Sequence, residues 1–591
     1  MTDGVPLFVE ELTRTVLESG VVETSGGQEL VDSVLDVAIP STLRDSLWAR
    51  LDRLGPVREV AQVASVIGRE FSVDTLAEAM DSDASAVGRD LATLHAAGLV
   101  LPRDTTVPGW FVFKHALVQT AAYDSMLRSR RRELHGRIAT ILERETGALA
   151  EHAEPLARHL ELAGRADEAI NAYMHVGDLV AAASGHEEAL GHYRRALELA
   201  EGLPRTHDGL ERQLAVHSAI RNALVVLRGY ASDEVASACA VARSICDELG
   251  DTEQLFPVLW SLAGFHMLRG DHAASDEIND SLLEIAARSR DDSLALLAHS
   301  TTGQTKHYQG RFAEAIAHLR QADALYDLER HRELAVRYAE EDPGAAALGY
   351  GAVTLWMLGD RTESRDWMER ALRLSQSLPY RTTHSLVVTI VVQLAYFRRS
   401  DALLQRALPV LEDLVHQRDF GFANPTAQSN LGWARVVAGD VDNGLRMLRA
   451  GIDGLARIGA LATNPFGELL LANSLLRAGR AEEAVETLDT TLRAVRARGE
   501  RLLEAELLRM CGEAHAAIGS PTSTVTTLMT EALDVAHELG ARSLRLHAAI
   551  SLTRYRAAGG DNDRRALRDA FGDIDSDLDD PDMREAESLT L

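Results

Sequence analysis

The chain contains two lysines, and these are the first residues to test for phosphate chemistry. Lys114 lies in the stretch FKHAL, and Lys306 lies in TKHY. A phosphate-binding P-loop has the pattern G-x-x-x-x-G-K-[ST], in which backbone N–H groups and the lysine hold the phosphates. Neither lysine follows a glycine or precedes Ser or Thr, so this sequence contains no such loop. We therefore predict no catalytic residue in this chain.

Histidine and cysteine spacing gives neither a metal motif nor a disulfide framework. The stretch HEEALGH separates His186 and His192 by six residues, or about 600° of helix, so the two rings diverge by some 120°. A zinc-binding helix has H-E-x-x-H instead. Three cysteines, Cys239, Cys246 and Cys511, are too few to hold a chain of this length together. We predict no metal site and three buried, reduced thiols.

The net charge of the chain indicates which classes of partner it can bind. The chain has 61 Lys and Arg against 89 Asp and Glu, a formal net charge of −28, which repels nucleic acid and anionic membranes. On the helix expected to face DNA, Asp83 and Asp90 offset Arg89 and His95. The arginine-rich run at 128–137 is interleaved with and followed by glutamates, which favours a solvated or interdomain helix face. With no apolar run of about 18 residues and no signal-peptide pattern, we expect a cytoplasmic protein that binds neither DNA nor membrane.

The first 150 residues predict two segments. Residues 1–40 carry one amphipathic helix, PLFVEELTRTVLESG, and a polar linker, ETSGGQ. Residues 41–150 contain three helical patterns, REVAQVASVIG, SVDTLAEAM and DASAVGRDLATLHAAG, followed by two short strand patterns, LVLPR and WFVF. Three helices followed by a β-hairpin predict a winged helix. A further helix follows the second strand.

Turn residues then recur about every 40 residues. The recurring positions are Gly229, Gly270, Gly310, Gly359, Ser400, Gly439, Gly479 and Gly519. A short helix and often an Ala-Leu pair follow these turns, which predicts helical hairpins related to tetratricopeptide repeats but with longer helices. We predict a mainly α protein, with an α-solenoid over residues 151–545 and capping helices with an acidic tail over 546–591. The concave face of the solenoid, whose residues the sequence does not identify, is the expected binding surface.

Several stretches together resemble a known family. They are DGVPLFVEELTRTVLESG, IPSTLRDSLWARLDRLGPVREVAQVASVIGREFSVDTL and FVFKHALVQTAAYDSMLRSRRRELHGRIA. They are similar to the helical lid and winged helix of bacterial signal-transduction ATPases of the STAND class, which are AAA-type P-loop proteins. The tail FGDIDSDLDDPDMREAESL resembles the branch in which a class III adenylate or guanylate cyclase domain precedes the ATPase and tetratricopeptide repeats follow it.

The resemblance implies roles for three residues. Gly4 and Pro6 match the family's Gly-x-Pro element, whose proline packs near adenine, and an ordinary proline in the first helical turn remains open for Pro6. His115 matches the winged-helix histidine that faces the β-phosphate of ADP, and a capping or core histidine remains open for it. ATP or ADP with Mg²⁺ is implied for the full-length family architecture, and no cofactor is expected in this chain alone.

Three functions follow as hypotheses. The chain is interpreted as the C-terminal, regulatory part of a cyclase-linked STAND ATPase, and its solenoid is expected to receive a protein or a small ligand. The alternatives are a stand-alone tetratricopeptide adaptor and a winged-helix transcriptional regulator, which the acidic balance disfavours. Residues 1–40 are interpreted as a remnant of the lid that a cyclase or ATPase core would cover. We expect this apolar helix to be poorly ordered or to mediate homo-oligomers.

Overall fold

The computed structural model describes residues 43–103, 109–145, 153–250, 255–337, 341–416, 423–556, 561–575 and 580–590. The predicted lid remnant at 1–40, with Gly4 and Pro6, lies outside these ranges. The described residues form 29 helices and three short strands, so the predicted mainly α fold class is confirmed. The chain divides into two compact units: unit 1 is Met1–Ala183 with Gly191–Leu203, and unit 2 is Ser184–Leu190 with Pro204–Leu591.

Unit 1 begins with a small domain and continues into the first helical hairpins. Its elements are α1 (Leu43–Arg53), α2 (Val57–Ile67), β1 (Glu70–Ser72), α3 (Val73–Met80), α4 (Ala84–Ala96), β2 (Val100–Pro102), β3 (Trp110–Phe113), α5 (Ala116–Asp124), α6 (Arg128–Glu145), α7 (Ala153–Ala163) and α8 (Ala166–Ala182). Helix α9 (His186–Glu201) crosses the division between the units.

The three strands of unit 1 form one antiparallel sheet in the order β1-β3-β2. The three predicted helices and both predicted strands are present. Strand β1 was not predicted, because three residues are too short to show an alternating pattern. It places Phe71 in the core, where its ring lies 5.4 Å from that of Phe113. The order of elements in this part of unit 1 is helix, strand, two helices and two strands, and the winged-helix assignment stays a prediction.

The described elements of unit 2 are all helices. They are α10 (His207–Arg228), α11 (Asp233–Leu249), α12 (Leu255–Arg269), α13 (His272–Ser289), α14 (Asp292–Tyr308), α15 (Phe312–Leu325), α16 (Leu328–Arg337), α17 (Pro343–Leu358), α18 (Arg361–Ser377), α19 (Arg381–Phe397), α20 (Asp401–His416), α21 (Ala423–Val437), α22 (Val441–Arg457), α23 (Asn464–Arg477), α24 (Ala481–Arg498), α25 (Glu504–Ala517), α26 (Thr522–Glu538), α27 (Arg542–Tyr555), α28 (Asp561–Gly572) and α29 (Pro581–Thr590). Successive helices pair as hairpins, and the first helices of neighbouring hairpins contact one another. This is the predicted helical-hairpin solenoid.

Residues with positive φ end the first helix of five successive hairpins at a regular interval. Positive φ angles occur at Gly359, Arg399, Gly439, Gly479 and Gly519, each 40 residues after the last. Glycine suits this conformation because it has no Cβ atom. The sequence pointed to position 400 in the second of these turns, but the left-handed residue there is Arg399, with φ 48°. A non-glycine residue in this conformation is uncommon and needs compensating contacts.

The solenoid of unit 2 closes on itself after five hairpins. The amide of Ala462, before α23, donates to the carbonyl of Leu268 at the end of α12, at 2.9 Å. A second contact of the same kind lies one hairpin further along: the amides of Arg501 and Leu502 donate to the carbonyl of Tyr308, both at 3.2 Å. Five hairpins again separate the donors from the acceptor. Helix α17 likewise contacts α27. One superhelical turn, called the closed turn below, is therefore fastened by backbone hydrogen bonds, and its concave face is partly enclosed.

The last two helices cover the end of this turn. Helices α28 and α29 pack on α27 through a core that includes Leu546, Ile550, Leu567 and Met583. The carboxylates of α29 do not all face solvent, because Asp582 is only 1% exposed. None of the described helices combines the length and apolar character that a membrane-spanning segment requires.

The three cysteines are buried and form no disulfide among the described residues, as predicted. Burial raises the pKa of the Cys239 thiol to about 11 and that of Cys511 to about 12. Because the thiolate is the reactive form, neither group is a nucleophile near neutral pH.

Unit 1 contains a pair of buried histidines that predicts acid sensitivity. His135 on α6 and His159 on α7 share a 2.9 Å contact between their Nδ1 atoms, and the Tyr123 hydroxyl lies 2.9 Å from Nε2 of His135. Burial, chiefly, lowers the pKa of His135 to about 3 and that of His159 to about 4. Both rings are therefore neutral in the folded chain at pH 7. The unfolded chain protonates them below about pH 6.5.

We therefore expect unit 1 to lose stability as the pH falls below 6.5. Between that pH and the folded pKa values, the unfolded state binds more protons, so the free energy of unfolding decreases with each step toward acid. Allowing for partial solvent screening, the loss at pH 5 is on the order of 2 kcal/mol. Thermal unfolding followed from pH 7.5 to 5 checks this. His159→Gln should flatten the dependence, and the exposed control His175→Gln should not; equal slopes in all three chains would contradict it.

Candidate functional site

The closed turn of unit 2 contains a cavity, called the inner cavity below. Its walls are residues of α10, α12, α14, α17, α19, α21 and α23, with one residue of α22 and the connections before α11, α17, α23 and α25. The cavity volume is about 130 Å³, close to that of a cavity able to hold one benzene ring. The first helices of successive hairpins therefore place their inward residues around one partly enclosed space.

Aromatic rings form one part of the inner cavity. Tyr230, Trp260, Tyr308 and Tyr350 all line it. The rings of Tyr230 and Trp260 meet edge to face at 5.6 Å, and those of Tyr308 and Tyr350 at 6.1 Å. The hydroxyl oxygens of Tyr308 and Tyr350 lie 3.5 Å apart. These contacts fix the ring orientations, so the cavity offers a preformed aromatic wall.

Uncharged polar side chains form the opposite wall. On α19, Ser385, Thr389 and Gln393 follow one another at intervals of four residues and therefore share one helix face. On α21, Asn430 donates to Thr389 at 3.5 Å. The hydroxyl of the neighbouring Ser429 is buried and has no hydrogen-bond partner among the described residues. An orphaned polar group beside a cavity indicates that a ligand or a water supplies its partner.

Glu341 is the one charged residue among the described residues that line the inner cavity. It precedes α17, whose N-terminus is capped by its neighbour Asp342: the Asp342 carboxylate accepts from the amide of Ala345 at 2.8 Å and from the hydroxyl of Tyr326 at 2.9 Å. Burial, with the charge of Asp342, raises the pKa of Glu341 to about 7. The two adjacent acids thus have separate roles, since Asp342 holds the helix and Glu341 faces the cavity.

A second polar region of unit 2 is the C-terminal ion-pair cluster, made of Arg361, Arg399, His547 and Asp582. Asp582 accepts from Nε2 of His547 at 2.8 Å, from Arg399 at 2.5 Å and from Arg361 at 3.3 Å. Burial lowers the pKa of His547, but Asp582 and Glu506 together raise it to about 9. The cluster binds α29 to α18, to α27 and to the connection after α19. Three further carboxylates balance its cations: Asp580 pairs with Arg361, Glu585 with Arg399 and Glu506 with His547. The cluster therefore stabilises the packing of these helices.

His115, the sequence-predicted nucleotide-sensing residue, lies in unit 1. It occupies the N-cap position of α5 in an extended conformation, without a side-chain capping hydrogen bond. Its side chain is half-buried. The nucleotide-sensing interpretation stays a prediction. The alternative of a capping or core histidine stays open for His115 as well.

The arginine-rich run of α6 is engaged in ion pairs within unit 1. Arg130 pairs with Glu59 at 3.2 Å, and Arg137 pairs with Glu133 at 2.8 Å. Nε of Arg132 donates to the carbonyl of Ala163 at 2.7 Å. On the helix expected to face DNA, Nδ1 of His95 hydrogen-bonds the carbonyl of Val100 at 3.0 Å. These contacts occupy side chains that would otherwise neutralise phosphates.

One group of three side chains among the described residues has the spacing of a metal site: His207, Asp208 and Glu211, all exposed at the start of α10. Exposed clusters of this kind are common on protein surfaces, and we assign no role to it. His186 and His192 of the HEEALGH stretch do not belong to it.

Comparison with known proteins gives one curated relative. No family model matches the chain. An uncharacterized protein of Rhizobium meliloti (strain 1021) is 24% identical over 567 residues, which cover 93% of this chain and 53% of that protein. The chain thus spans about half the length of the curated relative it matches.

Solved structures with helical repeats are also similar. The apo quorum sensor NprR from B. thuringiensis has a TM-score of 0.37 at 12% identity, covering 62% of this chain and 100% of that one. A Rap protein complexed with Competence and Sporulation Factor has a TM-score of 0.38 at 14% identity, covering 61% and 99%. A STAND protein with a tetratricopeptide repeat sensor from Pyrococcus horikoshii has a TM-score of 0.28 at 10% identity, covering 91% and 65%. At these low scores, none of the cavity residues is assigned a role by similarity.

Proposed function

We propose that this chain is a non-catalytic sensor module in which unit 2 binds a small ligand in the inner cavity. The observation that carries the proposal is a partly enclosed, partly aromatic space lined by two polar groups. The hydroxyl of Ser429 has no hydrogen-bond partner among the described residues, and Glu341 is influenced there by burial and by Asp342, with no cation beside it. Buried polar groups in folded proteins are normally paired. A ligand that pairs with them would favour the closed turn over an open one, which is the differential binding that a sensor requires.

The sequence resemblance supplies the context of the proposal. In a longer protein this module would regulate a STAND ATPase linked to a cyclase, and a ligand that stabilises the closed turn would bias the nucleotide-dependent core. ATP or ADP with Mg²⁺ does not fit this chain alone, because its two lysines lie outside any P-loop pattern. Gly4, Pro6 and His115 would contact nucleotide only when a P-loop core is supplied. The alternative role, a stand-alone adaptor, would use the same solenoid without nucleotide dependence.

Ligand-observed NMR on the purified chain tests the proposed site. The panel would hold aromatic alcohols, aromatic carboxylates, aromatic amines and nucleosides. We expect at least one class to bind the wild-type chain and to lose binding in Thr389→Phe, whose ring would occupy the middle of the cavity. Thr389→Ser, which keeps the hydroxyl, is the matched control and should bind normally. Absence of binding by every class, or equal binding to Thr389→Phe, would show the proposed function to be wrong.

A further inference from the structure

Aromatic rings and one carboxyl group line the same inner cavity: Tyr230, Trp260, Tyr308 and Tyr350 contribute the rings, and Glu341 contributes the carboxyl group. The three tyrosines come from separate parts of the chain and meet only at this cavity. Burial raises the pKa of their hydroxyls, and the charge of Glu341 acts in the same direction. A carboxylate that shares a cavity with aromatic rings favours an organic cation, because ring faces and carboxylate are both negative.

No cation of the protein occupies this position among the described residues. Among the described residues that line the cavity, none is Lys, Arg or His. Burial and the charge of Asp342 are the influences on Glu341, and no hydrogen bond or ion pair to it appears in the described parts of the chain. Arg221 acts on Tyr230 but is not part of the lining. The carboxyl group of Glu341 therefore lines the cavity without a cation beside it among the described residues.

We infer that the ligand of the inner cavity is a small organic cation, an amine or quaternary ammonium, whose charged nitrogen sits between Glu341 and the rings of Tyr230, Tyr308 and Tyr350. This inference rests on the proposed function and names its ligand class. The remainder of the ligand is apolar or aromatic and about one ring in size, and it lies against Trp260 and Phe466. The hydroxyl of Ser429 and the amide of Asn430 hydrogen-bond any polar substituent.

The ionisation of Glu341 makes the binding dependent on pH. At pH 6 the carboxyl group is mostly protonated, and at pH 8 it is mostly ionised, so an amine binds about ten times more tightly at pH 8. Asp342 is the charged group on the same segment as Glu341. The other charged and titratable groups near it come from three further elements: Tyr230 and Arg221 from the first hairpin of unit 2, Tyr308 from α14 with the neighbouring Glu500, and Tyr350 from α17. The tyrosines stay neutral through this range, and binding of the cation releases a proton from Glu341.

Isothermal titration calorimetry with three matched probes tests the ligand class. Phenethylamine is the cation, 2-phenylethanol is its neutral counterpart, and phenylacetate is the anion. For the wild-type chain at pH 8 we expect the amine to bind about ten times more tightly than the alcohol, and phenylacetate not to bind. Tighter binding of the alcohol or of phenylacetate would overturn the cation assignment and leave the proposed function standing. Absence of binding by all three probes, with no hit in the NMR panel, would overturn both.

Two variants test which residues cause the preference for the amine over the alcohol. Glu341→Gln keeps the shape of the side chain and should bind the amine and the alcohol equally, with no difference between pH 6 and pH 8. Tyr230→Leu should weaken amine binding several-fold and change alcohol binding less, because it removes one ring face. Circular dichroism would verify that both variants fold. Retention of the amine preference in Glu341→Gln would overturn the inference.

Discussion

Asp582→Asn is expected to remove about 3–5 kcal/mol from the stability of unit 2, because it leaves buried cations without their shared carboxylate. Arg361 is 3% exposed, and the side chain of His547 is 10% exposed. Both donate to Asp582, as does Arg399. Asparagine keeps the volume of the side chain and loses the charge. The measurement is the midpoint and slope of urea unfolding, which together give the free energy.

Glu587→Gln is the matched control, since Glu587 lies exposed on the same helix, α29. It should change the free energy by less than about 0.5 kcal/mol. A loss in Asp582→Asn no larger than in this control would show that α29 is not fastened by the ion-pair cluster.

The pH dependence of the same variant gives an independent check. The pKa of His547 is raised to about 9 in the folded chain, so its contribution is complete below about pH 6.5 and is lost as the pH rises through 9. Burial raises the pKa of Asp582, but His547, Arg361 and Arg399 hold it well below its usual range. Its contribution is complete above about pH 4 and is lost as the pH falls. The difference between wild type and Asp582→Asn should be largest between about pH 4 and 6.5.

Gly432→Ala is expected to destabilise unit 2 by roughly 1–3 kcal/mol and to weaken ligand binding in the inner cavity. A Cβ atom at Gly432 would lie 2.6 Å from the backbone nitrogen of Leu448 and 2.8 Å from the carbonyl oxygen of Gly444. Backbone atoms cannot rotate away, so α21 and α22 must separate. Helix α21 carries Ser429 and Asn430, and its displacement therefore changes the cavity wall.

The control for this substitution is Gly191→Ala. Gly191 lies inside α9, and a Cβ atom there meets no atom within 4 Å. Because alanine favours helix, this change should stabilise by about 0.5–1 kcal/mol. Thermal unfolding of both variants, with amine titration of Gly432→Ala, checks the pair. A neutral or stabilising Gly432→Ala would contradict the close packing of α21 on α22.

The repeat architecture was predictable because its signal is local. Glycines such as Gly439 and Gly479 recur at the ends of helices where a left-handed residue is required. Arg399 breaks the pattern, and its side chain binds Asp582, a residue far along the chain. The burial of Asp582 could not be predicted either, because its partners are also far away in the sequence. Without those partners, an acidic tail is expected to be exposed to solvent.

The inner cavity could not be predicted, because it depends on the closure of the turn. Glu341 and Asp342 are adjacent acids, and the sequence does not show which one caps α17 and which one faces the cavity. Tyr230, Tyr308 and Tyr350 come together only when hairpins pack in order. One signal was present: α14 is a buried helix that carries Thr301, Gln304 and Tyr308 at helical spacing, and polar residues on such a face indicate an inward-facing wall.

Hydrogen exchange at the connections between hairpins tests the closed turn most directly. The amides of Ala462, Arg501 and Leu502 lie in short connections, where exchange is ordinarily fast. In the closed turn they donate to the carbonyls of Leu268 and Tyr308. We expect peptides covering 460–463 and 500–503 to exchange as slowly as the helices beside them, and more slowly still with phenethylamine at pH 8. Fast exchange of both connections in the folded chain would show that the turn is open, and would contradict the enclosed cavity on which the proposed function depends.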